Sequence, residues 1–283
     1  MKTIQTLIED IYGLFEKEQV VSREDVEAFG KNVAEIIGRR LSEKKGGTYL
    51  RLSNLGEKCD RKQWLKVHHP ELAEPMHGSA HLKFMLGDLF EATILFLARV
   101  AGHKVEGEQQ EVSLYGVPGH RDAVIDGNLV DAKSASSFAF QKFANHLTEE
   151  QDDFGYIRQL TGYLEEAQND PLVTNKDSAF FLVGDKTLGK LVLDEHKRAD
   201  TDWESLVKRK QAMLESPDLP PRAYEDIPEG KSGNRKLGTA CSYCEMKNAC
   251  WPNLQKYNYA KGPVYLTKVA RVPKVPKEEE ELF

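Results

Sequence analysis

The chain has 283 residues, of which 30% are charged and 40% hydrophobic, and its formal net charge is −6. This composition is ordinary for a folded protein, and the length allows one large domain or two small ones. The negative charge argues against a protein that coats nucleic acid through bulk charge, although a local basic groove remains compatible with it. The longest apolar run is too short to span a bilayer, and the N-terminal segment does not have the pattern of a signal peptide. We therefore expect a soluble, cytoplasmic protein with no membrane partner.

Apolar periodicity and turn residues predict a series of elements along the chain. In chain order these are two helices over 4–43 with Ser22 as the cap of the second, a loop-rich stretch over 46–78, an apolar helix over 79–101, a strand over 104–115, a hairpin over 117–136, a helix over 151–168, two strands joined by a tight turn over 178–195, and an exposed helix over 200–216. The segment GDKTLGK matches the spacing of a phosphate-binding loop, but it lies between two strand patterns and lacks the following Ser or Thr, so we interpret it as a turn.

The order helix, three strands, helix, strand predicts an α/β core, preceded by a helical N-terminal region and followed by a C-terminal cysteine cluster. The predicted regions are a helical region over 1–78, the core over 79–195, a helix and cysteine region over 196–253, and a charged, flexible tail over 254–283.

The stretch VPGHRDAVIDGNLVDAKSAS, residues 117–136, places charged residues inside an apolar hairpin. Asp-Gly between alternating apolar residues is the strongest short-range hairpin signal, and a two-residue turn at 126–127 places Asp122 directly opposite Asp131. Their Cβ atoms are then about 5 Å apart on one face, and Lys133 points to that face as well.

Two carboxylates at that distance repel each other unless a cation lies near them. Lys133 supplies part of the required charge, and a divalent metal supplies more; oxygen ligands favour Mg²⁺ or Mn²⁺. The alternative is a surface hairpin with solvated charges, but apolar residues on both of its faces favour a covered sheet.

Other polar residues are candidates for the same site. Glu91 lies within the apolar helix, either on its solvated face or inward as a third carboxylate. Gln159 and Tyr163 are four residues apart and share a helix face; alone, they would be a surface Gln and a half-buried Tyr. His120 has the strand parity of Asp122 and lies either near the metal or at the rim.

The chain has four cysteines, Cys59 and the C-x2-C-x5-C group of Cys241, Cys244 and Cys250. Disulfides are not expected in a cytoplasmic chain of this size. Four thiolates can hold zinc or an iron–sulfur cluster, and the spacing does not separate the two. Scattered structural thiols are the alternative, but the clustering favours a metal that staples the N-terminal region to the C-terminal end.

The segments GHRD, DAK and QLTGY, in this order, resemble the G-x-x-D, D/E-x-K and Q-x-x-x-Y motifs of the RecB-like branch of the PD-(D/E)XK nuclease superfamily. The cysteine pattern is similar to that of its iron-staple subgroup, which includes AddB-type helicase-nucleases and CRISPR-associated RecB-like exonucleases. The resemblance covers roughly residues 50–252.

This resemblance implies a restriction-endonuclease-like core and a role for each matched residue. Asp122 and Asp131 would be metal ligands, with Glu91 as the acid of the leading helix, although many relatives have a histidine there. Lys133 would orient or activate the attacking water, and Gln159 and Tyr163 would contact DNA near the scissile phosphate. The cysteines would hold a 4Fe–4S cluster in preference to zinc.

We therefore expect a metal-dependent DNA exonuclease that acts on DNA ends or single strands in replication, recombination or repair. The alternatives are an endonuclease, a non-catalytic DNA-binding subunit with the same fold, and an enzyme unrelated to nucleic acids whose cysteines hold zinc.

The C-terminal segment VPKVPKEEEELF combines proline with charge, which is typical of disorder. An acidic run closed by phenylalanine is similar to the docking tails of single-stranded-DNA-binding and replication proteins. We expect this segment to recruit a replication partner or to cover a basic groove of the same chain.

Overall fold

The computed structural model describes residues 2–18, 20–42, 50–260 and 262–277. Its α-helices are α1 (Leu7–Glu16), α2 (Arg23–Ser42), α3 (Leu52–Leu55), α4 (Asp60–His68), α5 (Gly78–Val100), α6 (Ser137–Ala144), α7 (Tyr156–Glu166), α8 (Trp203–Glu215), α9 (Thr239–Ser242) and α10 (Lys247–Cys250). Its strands are β1 (Val105–Glu106), β2 (Glu111–Leu114), β3 (Val117–His120), β4 (Ala123–Ile125), β5 (Asn128–Ala135), β6 (Ser178–Asp185), β7 (Leu191–Lys197), β8 (Ile227–Pro228), β9 (Arg235–Lys236), β10 (Gln255–Tyr259) and β11 (Gly262–Lys268). Short 3₁₀ turns lie at Ile4–Thr6, Pro70–Leu72 and Ala167–Asn169.

The chain divides into two compact units, and each is assembled from two separate segments. The α/β unit holds Met1–Gly56 and His77–Lys208, and the cysteine unit holds Glu57–Met76 and Arg209–Phe283. These boundaries differ from those predicted at 78, 195 and 253, because α1 packs into the same apolar cluster as α5 and the sheet. The N-terminal helices are thus part of the α/β unit instead of a separate region.

A five-stranded mixed sheet in the order β1-β4-β5-β6-β7 forms the centre of the α/β unit. Strands β5 and β6 pair in parallel, while the other neighbours are antiparallel. The parallel pair needs a crossover connection, which α6 and α7 provide. All eight residues of β6 are buried, as expected for a central strand with both faces covered. The predicted α/β class is confirmed.

Two apolar layers cover the sheet. On one face, α1 and α5 pack against a cluster that includes Ile125, Val130 and Leu182. On the other, α3, α6 and α7 pack against a cluster that includes Val124, Leu129, Phe181 and Val183. The alternation of side chains along β5 sends Asp131 and Lys133 to this second face.

The predicted hairpin is present with the predicted register. Ala123 pairs with Val130, and Ile125 pairs with Asn128. Asp126 and Gly127 have φ of 48° and 77°, the left-handed values that a two-residue type I′ turn requires. The strand expected over 104–115 is wrong in one respect: it breaks into β1 and β2 at a turn that contains Gly107, whose φ is 57°.

Three further local predictions have clear outcomes. Ser22 caps α2, since its Oγ accepts a hydrogen bond from the Asp25 backbone N–H at 3.0 Å. The segment GDKTLGK is a turn between β6 and β7, in which Asp185 Oδ1 accepts from the backbone N–H groups of Thr187 and Leu188 at 2.9 and 3.1 Å. The helix expected over 200–216 is α8, but one face of it is buried, with Trp203 2% and Lys210 1% exposed.

The cysteine unit contains a four-stranded antiparallel sheet in the order β10-β11-β9-β8 and the short helices α4, α9 and α10. Trp64, Leu65 and Met246 form its small apolar cluster. The flexible tail predicted from residue 254 is corrected here: β10 and β11 pair through five residues each, because alternating side chains such as Tyr257 and Leu266 are buried. The acidic run and terminal phenylalanine, 278–283, lie outside the described residues.

Among the described helices, none combines the length and apolar character that a bilayer crossing requires.

Candidate active site

The charged residues of the hairpin meet on the α7 face of the sheet. Asp122 directly precedes β4, and its Oδ2 accepts a hydrogen bond from the backbone N–H of Ala132 at 2.8 Å. Asp131, on β5, is 6% exposed. Its Oδ2 lies 2.5 Å from Lys133 Nζ, and its Oδ1 accepts from Gln159 Nε2 at 3.2 Å. The hairpin therefore brings two carboxylates and one ammonium group together, as the sequence predicts.

Burial and mutual repulsion dominate the electrostatics of these groups. Burial raises the pKa of Asp122 well above its usual value, and the nearby Asp131 and Glu91 raise it further. Burial alone would lower the pKa of Lys133, but Asp131 and Asp122 outweigh it and raise that pKa, so the ammonium group stays protonated. Lys133 is thus a fixed positive charge at this site.

Glu91 reaches the site from α5, which packs on the opposite face of the sheet. Burial raises the pKa of Glu91 to about 7, and repulsion from Asp131 adds to the shift. Gln109 holds this acid in place: its side-chain amide donates to Glu91 Oε1 at 2.6 Å, and its backbone N–H donates to the carbonyl of Asp122 at 3.2 Å. Gln109 was missed from the sequence, because it lies in a turn with no local motif.

One face of α7 closes the site. Tyr163 is 5% exposed, and its hydroxyl accepts a hydrogen bond from the backbone N–H of His120. Burial, with help from Asp122 and Asp131, raises the pKa of Tyr163. Tyr156 lies seven residues earlier on the same face, and the Nζ of Lys133 is 4.8 Å from its ring centroid. The i, i+3 spacing of Tyr156 and Gln159 was the signal that could have identified it.

An open cleft of about 160 Å³ adjoins Lys133 on this face. Its lining combines lysines, carboxylates, hydroxyls and aromatic rings, namely Lys133, Lys142, Asp152, Asp153, Ser134, Ser136, Phe154 and Tyr156. Phe154 is 44% exposed, and its ring centroid lies 5.5 Å from that of Tyr156. His120, the last residue of β3, has an exposed side chain.

The carboxylates have the chemistry of a divalent cation site. Carboxylate oxygens are the preferred ligands of Mg²⁺ and Mn²⁺, and a cation here would offset the burial and the mutual repulsion that raise the pKa of Asp122 and of Glu91. The oxygens of Glu91, Asp122 and Asp131 do not all lie within 4.8 Å of one another. The donor chemistry of the three carboxylates fits such an ion, while their spacing is wider than the coordination shell of a single ion; Lys133 lies against Asp131.

The four cysteines lie together in the cysteine unit as free thiols, each partly buried. Burial raises the pKa of Cys241 to about 11 and that of Cys244 to about 12, and the neighbouring thiols contribute to both shifts. Several N–H groups point at the sulfurs: those of Lys62 and Ala223 at Cys59, and that of Met246 at Cys244 at 3.4 Å.

This environment fits a positively charged metal group bound by thiolates, because N–H donors to sulfur stabilise the deprotonated form. No three of the four sulfurs lie within 4.8 Å of one another. A tetrahedral zinc site, with Zn–S bonds of about 2.3 Å, would bring its sulfurs to roughly 3.8 Å. The sulfurs are therefore more widely spread than a closed zinc site requires.

No known protein-family model matches the chain, and no curated protein matches it. Two solved structures share part of its fold. The crystal structure of an alkaline exonuclease (LHK-Exo) from Laribacter hongkongensis has 12% sequence identity and a TM-score of 0.41, covering 64% of this chain and 91% of that chain. The crystal structure of a protein designated SSO0001 has 14% identity and a TM-score of 0.42, covering 80% of this chain and 95% of that chain. Both likenesses are remote in sequence and in structure.

Proposed function

We propose that this chain is a metal-dependent nuclease of the PD-(D/E)XK type that hydrolyses phosphodiester bonds in DNA, acting at ends or on single strands. The observation that carries the proposal is the grouping of Asp122, Asp131 and Lys133 on one face of a β-hairpin, beside an open cleft. Like-charged carboxylates held this close serve no packing purpose, whereas they are suited to bind a divalent cation.

The cleft supports a nucleic-acid substrate. Lys133 and Lys142 can contact backbone phosphates if they exchange their present ion pairs with Asp131 and Asp153 for a phosphate. The exposed ring of Phe154 can stack on an unpaired base. The net charge of −6 does not oppose this assignment, because the cations at the site are local.

Each residue of the site then has a physical task. Asp122, Asp131 and Glu91 would hold Mg²⁺ or Mn²⁺, which supplies a water of lowered pKa and neutralises charge on the phosphate. Lys133 provides a fixed positive charge for the attacking water or a phosphate oxygen. Gln159 fixes the orientation of Asp131, and Gln109 fixes that of Glu91.

Tyr163 has a task that differs from the expected contact with DNA. Because its hydroxyl is buried and bound to the backbone of His120, it supports the strand that leads into Asp122. Gln159 is partly buried, and because its amide donates to Asp131, we propose that it orients this carboxylate in place of the expected contact with DNA.

We propose further that Cys59, Cys241, Cys244 and Cys250 hold a 4Fe–4S cluster. The spread of the sulfurs suits a cluster whose irons and sulfides lie between the thiolates better than a single zinc ion.

The acidic segment at 278–283 remains a predicted docking site for a replication or single-stranded-DNA-binding partner. If the segment docks a partner, removal of residues 277–283 would abolish capture of that partner. If it covers a basic groove, the removal would raise nuclease activity. Unchanged capture together with unchanged activity would contradict both ideas.

The deciding experiment is degradation of linear DNA labelled at either the 5′ or the 3′ end, using anaerobically purified protein with Mg²⁺ or Mn²⁺. We expect loss of label that depends on the metal, vanishes in Lys133→Ala, and persists in Lys190→Ala, which removes an exposed lysine from the turn before β7. The product ladder gives the polarity, and cleavage of circles would indicate an endonuclease. The proposal is wrong if the folded protein, supplied with metal, cleaves neither DNA ends, nor single strands, nor circular DNA. The chain would then be a non-catalytic DNA-binding subunit.

A further inference from the structure

A second group of potential metal ligands lies at the end of α6 and on β7, in the α/β unit. His146 Nδ1 is 2.7 Å from Asp194 Oδ1, and His196 Nε2 is 3.0 Å from Asp194 Oδ2. The two imidazole rings are stacked, with centroids 4.7 Å apart. Among the residues that the structure describes, these three are the one group whose ligand atoms all lie within 4.8 Å of one another.

The position of this group follows from the sheet register. Asp131 on β5, Phe181 on β6 and Asp194 on β7 are successive partners in one row, so they lie on the same face. The ring of Phe181 is 5.2 Å from that of His196 and 5.8 Å from the Nζ of Lys133. One buried aromatic ring therefore separates this group from the candidate active site, and the two groups share no ligand.

The three side chains differ in burial in a way that suits a bound ion. Asp194 is 3% and His196 6% exposed, whereas the side chain of His146 is 63% exposed. Two ligands are thus fixed by the sheet, and the third leaves an open path from solvent. Burial would raise the pKa of Asp194, but hydrogen bonds from His196, Leu147 and His146 outweigh it and hold that pKa below its usual value.

We propose that His146, Asp194 and His196 form a binding site for a divalent transition-metal ion, and that zinc is the ion bound. Two imidazoles and one carboxylate are a recurrent zinc ligand set that leaves a further position open, and they disfavour Mg²⁺, which prefers oxygen ligands. This site does not rest on the nuclease assignment. It is separate from the carboxylates of the active site and from the four thiols.

The bound ion would fasten the start of the connection between α6 and α7 to the sheet. His146 has a left-handed backbone with φ of 63°, and the backbone N–H of Leu147 donates to Asp194 Oδ2 at 3.0 Å. The same connection supplies Leu147, Gln151 and Phe154 to the cleft beside Lys133. The site is therefore placed to fix one wall of that cleft.

The test is equilibrium dialysis of the full chain against Zn²⁺, followed by measurement of zinc per chain. The variants are His146→Ala, which changes an exposed side chain, and His146→Asn, which keeps a polar one. His81→Ala, on the exposed side of α5, is the matched control. We expect both His146 variants to bind one zinc ion fewer than the wild type and the control, with unchanged far-ultraviolet circular dichroism.

Co²⁺ provides a readout that separates this site from the thiols. A cobalt ion held by nitrogen and oxygen gives visible bands without the intense near-ultraviolet thiolate charge-transfer band, and these bands should be lost in His146→Ala. Zinc should also raise the Tm of the wild type and of His81→Ala but not that of His146→Ala. Equal zinc content in wild type and His146→Ala would overturn the proposal and leave a hydrogen-bonded His–Asp–His network.

Discussion

Asp131 is held from two sides, and each contact fixes a different oxygen. Lys133 lies against Oδ2, and Gln159 donates to Oδ1. The lysine contact neutralises charge, whereas the amide contact only sets the orientation of the carboxylate. A residue that orients a metal ligand in this way typically affects metal affinity or activity by about 10- to 100-fold when it is replaced.

We predict that Gln159→Ala lowers nuclease activity by about 10- to 100-fold and raises the Mg²⁺ concentration needed for half-maximal activity. The reason is that Asp131 loses the donor that orients Oδ1, while Lys133 remains in place. Metal titrations of DNA cleavage measure both effects. Gln141→Ala, on the exposed face of α6, should leave both values unchanged.

An equal fall in activity at every Mg²⁺ concentration would contradict the orienting role. It would indicate instead that Gln159 contacts the substrate.

At the scale of elements, the connection that enters the hairpin depends on one buried guanidinium group. Arg121 is 2% exposed and directly precedes Asp122 in the chain. It pairs with Asp170 at 2.5 Å, donates to Gln110, and contacts the carbonyl of Gly107 at 3.4 Å. These contacts join the turn between β1 and β2 to the end of α7, so they position Asp122 without touching any substrate.

We predict that Asp170→Asn lowers the free energy of unfolding by about 2 to 4 kcal/mol, because it leaves the buried Arg121 without its charged partner. Urea unfolding at pH 7 measures the change. Asp177→Asn, which alters an exposed carboxylate of the neighbouring loop, is the matched control and should have little effect.

The same pair has a defined pH dependence. Burial would raise the pKa of Asp170, but the backbone N–H of Leu172 and the guanidinium of Arg121 outweigh it and lower that pKa. A carboxyl whose pKa is lower in the folded state contributes its stability above its unfolded value, about 3.9, and loses it as the pH falls through the folded value. The stability difference between wild type and Asp170→Asn should therefore be constant from pH 5 to 7 and should shrink below about pH 4.

Features that local sequence patterns specify were predictable, whereas features that depend on contacts between distant residues were not. The hairpin was predictable with its register, because the Asp-Gly turn and the alternation around Asp122 and Asp131 are local patterns. Gln109 was not, because its contacts depend on a turn that reaches α5. The group of His146 and Asp194 was not predictable either, since the pairing of β6 with β7 and the end of α6 bring these residues together from 48 positions apart.

At the scale of the whole molecule, the cysteine unit has little apolar core of its own. Its apolar cluster consists of Trp64, Leu65 and Met246 with a few partly buried neighbours, and its sheet region buries only Leu237, Tyr257 and Leu266 among the described apolar residues. A unit with so small a core generally needs a metal or cross-link for stability. The four thiols are the group in this unit that can provide one.

We predict that Cys59→Ser loses the visible absorption, iron and acid-labile sulfide of the anaerobically purified protein, and that proteases then cleave the cysteine unit faster. Tyr243→Ser changes an exposed side chain between two of the cluster cysteines and should retain iron. Iron and sulfide analysis with limited proteolysis provides the measurement. Finding zinc in place of iron in the wild type would contradict the 4Fe–4S cluster. It would still agree with a structural metal held by the four thiols.

The discontinuous make-up of the cysteine unit has a consequence for biosynthesis. Cys59 leaves the ribosome long before Cys241, because about 180 residues lie between them; at roughly 5 to 20 residues per second, the delay is on the order of 10 to 40 s. During that interval the α/β unit can fold, while Cys59 is a lone thiol exposed to oxidants and stray metals. Any group held by all four thiols can be inserted only after synthesis of residue 250, so the cell's metal-delivery machinery meets a chain whose α/β unit has already had time to fold.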